Sequence, residues 1–221
     1  MNLNLKKLLL FTAIALSFSQ VSWSQDYFPH GLGIGINGAV ATNGSNFDVD
    51  HEAIGLHFDH QRNWSRFFSF RTSIEANYFL PDRNSYTSSS GSSPVNVEQI
   101  TKKLNTTLSL EPILYLRTNA ASFYLSLGIL AGDHTQYNKR IMRSVDGEED
   151  VSKYKDSYFI VGIKPSIGVT FHMRDNSNDI DFQFSQNLWG GFEDVIDGGL
   201  LEYGEYMYVL TIAYRFNFLK G

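Results

Sequence analysis

The sequence predicts an all-β protein, an eight-stranded antiparallel up-and-down transmembrane β-barrel with short periplasmic turns and four longer extracellular loops. Three observations carry that expectation. Beyond its first two dozen residues the chain alternates apolar and polar side chains with a period of two, and no helical period competes. The alternating runs number eight, and most reach about ten residues, the length a tilted strand needs to cross a bilayer. The connections alternate short (61–65, 118–120, 175–178) and long (42–50, 81–97, 135–154, 190–205). Barrels with tight turns at one rim and exposed loops at the other show that asymmetry.

The opening segment is an export signal rather than part of the fold. Lys6 and Lys7 precede an apolar run over 8–18, and Ser22-Trp23-Ser24 places small residues at the −3 and −1 positions before Gln25. The run is too short for a spanning helix and has the layout of a cleaved signal peptide. Residues 1–24 are therefore read as the signal and 25–221 as the barrel domain. The 221 residues carry a formal charge of −5, which gives no basic surface for nucleic acid. Cysteine is absent, which excludes disulfide scaffolds, thiol nucleophiles and cysteine metal sites.

The apolar sets, in chain order, define the strands. They are Leu32-Ile34-Ile36-Val40; Ile54-Leu56-Phe58; Phe68-Phe70-Ile74-Tyr78-Leu80; Leu104-Leu108-Leu110-Leu114-Leu116; Phe123-Leu125-Leu127-Ile129; Phe159-Val161-Ile163-Ile167-Val169-Phe171; Ile180-Phe182-Phe184-Leu188; and Tyr206-Tyr208-Leu210-Ile212-Tyr214-Phe216-Phe218. Alternate side chains of a strand point to opposite faces, so each set is one face. An even strand number puts both chain ends at the rim with the short turns.

Charge decides which face meets lipid. The other parity holds Asp59, Arg71, Glu75, Lys103, Glu111, Arg117, Lys164, Asp181 and Arg215, and the apolar parity holds no charge. The remaining polar-parity residues are mostly small or uncharged. A water-washed exterior carries more Lys and Glu than this, whereas a narrow lumen wants small side chains and a few paired charges. Aromatic residues gather near strand ends as two interfacial girdles: Trp64, Phe67, Tyr115, Phe123, Phe216 and Phe218 at one rim, Tyr78, Tyr158, Trp189, Phe192 and Tyr206 at the other. Pro112 and Pro165 interrupt strands that have no free edge, and a bulge is expected at each. Gln186 breaks an apolar face near the outer rim.

With the signal, the glycine-rich first strand (Gly31 to Gly38) and the closing strand Tyr208-Val-Leu-Thr-Ile-Ala-Tyr-Arg-Phe-Asn-Phe218, the chain resembles small outer-membrane β-barrel proteins of Gram-negative bacteria. It looks most like the porin-family or PorT-like barrels of Bacteroidota and shares architecture with the OmpA and OmpX barrels. The resemblance implies outer-membrane lipid and the barrel-assembly machinery as partners, an extracellular or envelope protein as a further one, and a role near secretion. Leu219, Lys220 and Gly221 follow the last Phe, where many such barrels end.

No catalytic set and no cofactor or metal site is expected. Gly33-x-Gly35-x-x-Gly38 matches a dinucleotide fingerprint but lies inside a strand with no helix after it. His51-Glu52 starts like a zinc-protease motif but has Gly55 where a second His belongs. Asp175-x-Ser177-x-Asp179-x-Asp181 resembles the start of a calcium loop but has Ile180 at the glycine position. Glu75 and Glu111, on neighbouring strands, are read with Arg71, Lys164 and Arg215 as a salt-bridge network that plugs the lumen, since buried charges must be paired. The last loop carries Glu193, Asp194, Asp197, Glu202 and Glu205 with no base, a candidate surface for a cation, glycan or protein.

Overall fold

The computed structural model describes residues 30–43, 49–65, 67–90, 93–117, 121–144, 148–173, 178–191 and 205–218. The signal peptide lies outside the described residues. The strands are β1 (His30–Asn43), β2 (Val49–Asn63), β3 (Phe68–Phe79), β4 (Asp82–Ser90), β5 (Ser93–Arg117), β6 (Ala121–Ser144), β7 (Glu149–His172), β8 (Asn178–Gly191) and β9 (Glu205–Phe218). All pairings are antiparallel, and the sheet closes because β1 pairs with β9 and β3 pairs with β5. Eight strands form the ring, each hydrogen-bonded to two neighbours.

The additional strand, β4, is the upward continuation of β3. Between the pairs Tyr78↔Leu104 and Asp82↔Thr101, β3 and β4 advance four residues while β5 advances three. One extra residue is accommodated at Leu80 and Pro81, where proline has no N–H for the ladder. A second register shift lies between Ala41 and Thr42.

Three sequence expectations are corrected. Within the stretches 81–97 and 135–154, residues 82–90, 93–97, 135–144 and 149–154 are strand rather than loop. They are built into β4, β5, β6 and β7, and β6 and β7 stay paired from Ala121↔Phe171 out to Arg143↔Glu149. β8 stops pairing at Ile160, so β4 and the outer parts of β5, β6 and β7 stand above the ring as a four-stranded blade. The blade adds about ten residues per strand, roughly 30 Å.

Nor do Pro112 and Pro165 make bulges. Pro112 stays opposite Phe70, and the β5–β6 ladder simply lapses between Leu110↔Ile129 and Ile113↔Ser126 with its register unchanged. Pro165 stays opposite Leu127, and the β7–β8 ladder lapses between Ile163↔Leu188 and Ser166↔Ser185. In an antiparallel strand the N–H and C=O of one residue address one neighbour, so each proline forfeits pairing on one side only. Gln186 lies beside the second lapse, and its amide donates to the Tyr208 hydroxyl at 3.3 Å.

Two girdle assignments also change. Tyr115 is buried against Ile113 and Tyr124, and Trp189 is buried in the upper lumen. Both lie on the inward parity, and their size fills the barrel ends from within. Trp64, Phe67, Tyr78, Phe123, Tyr158, Phe216 and Phe218 are exposed on the outside. Phe192 lies outside the described residues.

Candidate functional site

The inward parity of the ring brings the five predicted lumen charges together and adds Asp59, Asp181 and His57. All eight side chains are buried. Lys164 of β7 donates to Glu75 of β3 and, at 2.8 Å, to Glu111 of β5. Glu111 also accepts from Ser109 at 2.7 Å and Gln183 at 3.1 Å. Arg215 of β9 grips Asp59 of β2 with two hydrogen bonds of 3.1 Å and reaches Asp181 at 3.3 Å. Paired N–H donors on one carboxylate form a strong, direction-fixing contact.

Arg71 and Glu111 face each other in the β3–β5 register, yet they are not ion-paired. Arg71 instead crosses the lumen to β8, meeting Asp181 at 3.1 Å and Gln183 at 3.0 Å. Asp181 further accepts from Thr170 and Tyr124. Two links join the halves. Gln183 spans Arg71 and Glu111, and His57 sits 3.1 Å from Asp59 and 3.3 Å from Glu75 through its two ring nitrogens. An imidazole donates from both nitrogens only as imidazolium. In that form His57 makes four cations against the four carboxylates Asp59, Glu75, Glu111 and Asp181.

Glycine makes the close approaches possible. Gly128 separates Glu111 from Lys164, and a Cβ there would stand 2.6 Å from the Glu111 side chain. Gly33 lies between Asp59 and Arg215, and its Cβ would come within 2.1 Å of Asp59. Gly33 thus serves the charge network, whereas a Cβ on Gly35 would meet β9 at Ile212 and Ala213. Gly38 faces outward with nothing within 4 Å, so it has no part in the lumen.

Above the charges the lumen becomes apolar, which the sequence reading did not anticipate. Ala39, Ala41, Ala53, Phe79, Leu130, Ile160, Trp189, Met207 and Val209 form one buried cluster. These residues occupy the inward parity, where a polar lining was expected. Their signal was present as apolar residues on both faces of the outer strand ends.

A second arrangement was missed entirely. Ser122 Oγ lies 2.7 Å from His172 Nε2, His172 Nδ1 lies 2.8 Å from Asp179 Oδ1, and Asn217 donates to the other Asp179 oxygen at 2.8 Å. The connectivity matches a serine hydrolase triad. Ser122 is fully buried, so no carbonyl reaches its hydroxyl. Asp179 and Asp181 are therefore committed to the lumen rather than to a cation turn; Asp175 and Ser177 lie outside the described residues. Of the acidic loop, Glu193, Asp194, Asp197 and Glu202 also lie outside them, and Glu205 opens β9.

The outer face reverses the inner one. Ile36, Leu116, Leu125 and Leu127 are each more than 60% exposed, whereas Arg71 and Glu111 are 0% exposed. Large apolar side chains outside, charges inside and no open sheet edge around the ring are the arrangement that hydrocarbon demands. The chain is a membrane-spanning β-barrel of the outer-membrane type. No family model and no curated protein matches the sequence. Similar solved structures include Ail, the attachment invasion locus protein of Yersinia pestis (11% identity, 87% of this chain, 99% of that one, TM-score 0.46). A major outer membrane protein from Thermus thermophilus is similar at 7% identity over 86% and 99% of the chains, with a TM-score of 0.44. The N-terminal β-barrel domain of Pseudomonas aeruginosa OprF is similar at 13% identity over 86% and 99%, with a TM-score of 0.42.

Proposed function

We propose that the protein is a non-enzymatic component of the outer membrane, in which a plugged barrel anchors an external blade and loops that bind a partner. The observation that carries this reading is the filled lumen. One hydrogen-bonded network joins Arg71, Glu75, Glu111, Lys164 and Arg215 through His57, Asp59, Asp181 and Gln183, and an apolar cluster lies above it. Eight strands enclose a space that side chains just fill. The strands that extend far beyond the ring are then the part available for recognition. The burial of Ser122 supports a non-catalytic role. The likeness to PorT-like barrels of Bacteroidota, and with it a place near secretion and dependence on barrel-assembly machinery, belongs to this proposal.

Planar-bilayer recording tests the plug, and cross-linking from cysteines placed on the blade tests the binding role. Little steady conductance together with a cross-linked envelope or extracellular partner is the expected result. Large stable channels would favour a narrow pore instead.

A further inference from the structure

The two faces of the blade differ in charge, and the difference lies just above the apolar belt. The antiparallel register sets out the outward-facing rows. The first row above Leu104 is Lys102, Tyr137 and Lys155. The next is Arg83, Ile100, Lys139 and Lys153. These two rows hold five cations and no carboxylate. The lumen-side rows at the same height mix Lys103 and Arg140 with Asp82 and Asp156. Lys139 and Lys153 are directly opposed in the ladder, a pairing of like charges that destabilises a bare sheet. Among the described residues, none of the five is ion-paired. Lys155 Nζ lies 5.3 Å from the centre of the Tyr137 ring. Arg83, Lys102, Lys153 and Lys155 are exposed and Lys139 is half-buried. Asp133 is the nearest outward carboxylate on β6, two rows below Tyr137.

A groove of about 530 Å³ adjoins the patch. Arg83 and Arg143 line it with the polar side chains Ser85, Tyr86, Thr87 and Asn96. Glu98 also lines it and is held by Arg143 at 3.8 Å. Amide and hydroxyl side chains around a groove match the donors and acceptors of a sugar. Clustered Lys and Arg match phosphate oxygens. Two mixed rows, Leu104-Thr135-Ser157 and Thr106-Asp133-Phe159, lie between the patch and the apolar face of the ring, so its natural counter-charge is at the membrane surface.

We propose that the outward face of the blade binds the phosphorylated sugar headgroup of a glycolipid in the leaflet around the barrel. Lys102, Lys139, Lys153, Lys155 and Arg83 neutralise the phosphates, and the adjoining groove takes the sugar. The headgroup relieves the Lys139–Lys153 opposition and fixes the blade against the membrane. The inference rests on the membrane reading of the outer face.

The test uses the full mature chain in detergent micelles and a bis-phosphorylated glucosamine-disaccharide lipid as probe. Bound lipid is counted by native mass spectrometry against the dephosphorylated lipid and the soluble phosphorylated disaccharide. Wild type should prefer the phosphorylated lipid, and high salt should weaken the preference. The combined variant Lys139→Gln, Lys153→Gln and Lys155→Gln should bind at least about tenfold more weakly while keeping a heat-modifiable gel shift. Should that variant fail to fold, Lys155→Gln alone should show a smaller loss in the same direction. Equal binding by folded variant and wild type overturns the proposal. Equal binding of the soluble disaccharide and the lipid also overturns it, in favour of a soluble anionic glycan. A wild-type chain that fails to insert into vesicles removes the membrane reading itself, a result separable from either.

Discussion

Lys164 reaches Glu111 across Gly128, the residue directly opposite Lys164 in the β6–β7 ladder. The same device recurs across the barrel, where Arg215 reaches Asp59 across Gly33. In both places an ion pair skips one strand because the strand between presents no side chain.

That relationship sets the first prediction. A Cβ on Gly33 would overlap Asp59, whereas one on Gly38 would meet nothing within 4 Å. Gly33→Ala should lower the midpoint of the heat-modifiable gel shift, and Gly38→Ala should leave it unchanged or raise it slightly. Equal behaviour of the two would mean that the Arg215–Asp59 pair tolerates a spacer.

The second prediction concerns the centre of the network. Lys164 is buried between two carboxylates, so Lys164→Ala leaves Glu111 without its ion pair and Glu75 with His57 alone. Loss of one partner of a fully buried pair costs about 3–5 kcal/mol. Glu111→Gln should cost less, because an amide can still accept from Lys164 and Ser109. Urea unfolding in lipid vesicles measures both, and an unchanged Lys164→Ala midpoint would remove the network from the stability of the barrel.

The third concerns lipid. Leu127 and Leu210 are more than half exposed and point away from the lumen. Arg at either should cost about 2–4 kcal/mol near mid-depth, measured by the same unfolding. Arg at the exposed blade position Tyr154, above the ring, should be tolerated. A barrel that accepts Arg at both leucines would have its faces inverted.

How much of this was legible follows from where the two faces of a strand meet different solvents. Within the ring, lipid outside and a polar network inside force strict alternation, and the apolar sets from Leu32 to Phe218 identify all eight strands. Above the ring both faces of β4 and β7 meet water. Segments such as Ser85-Tyr86-Thr87-Ser88 then lose their period of two and read as loops, although hydroxyl and aromatic residues suit strands. At the upper lumen both faces are apolar, so Met207 and Val209 gave no alternation either. Arg71, Glu75, Glu111, Lys164 and Arg215 were recognisable as one group by parity and charge. The pairings were not, because Arg71 bypasses its ladder partner Glu111 for Asp181 on the opposite wall. His57 carried no signal of its own, since its role depends on Glu75 from another strand.

The last prediction separates geometry from chemistry at the lower rim. Ser122, His172 and Asp179 have the hydrogen-bond order of a hydrolase. Nucleophilic catalysis also needs an acyl carbon within reach of the serine oxygen and donors for the developing oxyanion. The Ser122 side chain is fully buried while His172 is partly open, so substrate would meet the base before the nucleophile. A fluorophosphonate probe applied to the folded barrel should therefore leave Ser122 unlabelled. Ser122→Ala should leave no esterase activity to lose, and its effect should appear in stability, because His172 keeps Asp179 but loses its second partner. Stoichiometric labelling of Ser122 in wild type, abolished by His172→Ala in a barrel that still shows the gel shift, would make the rim a catalytic site and overturn the non-enzymatic reading.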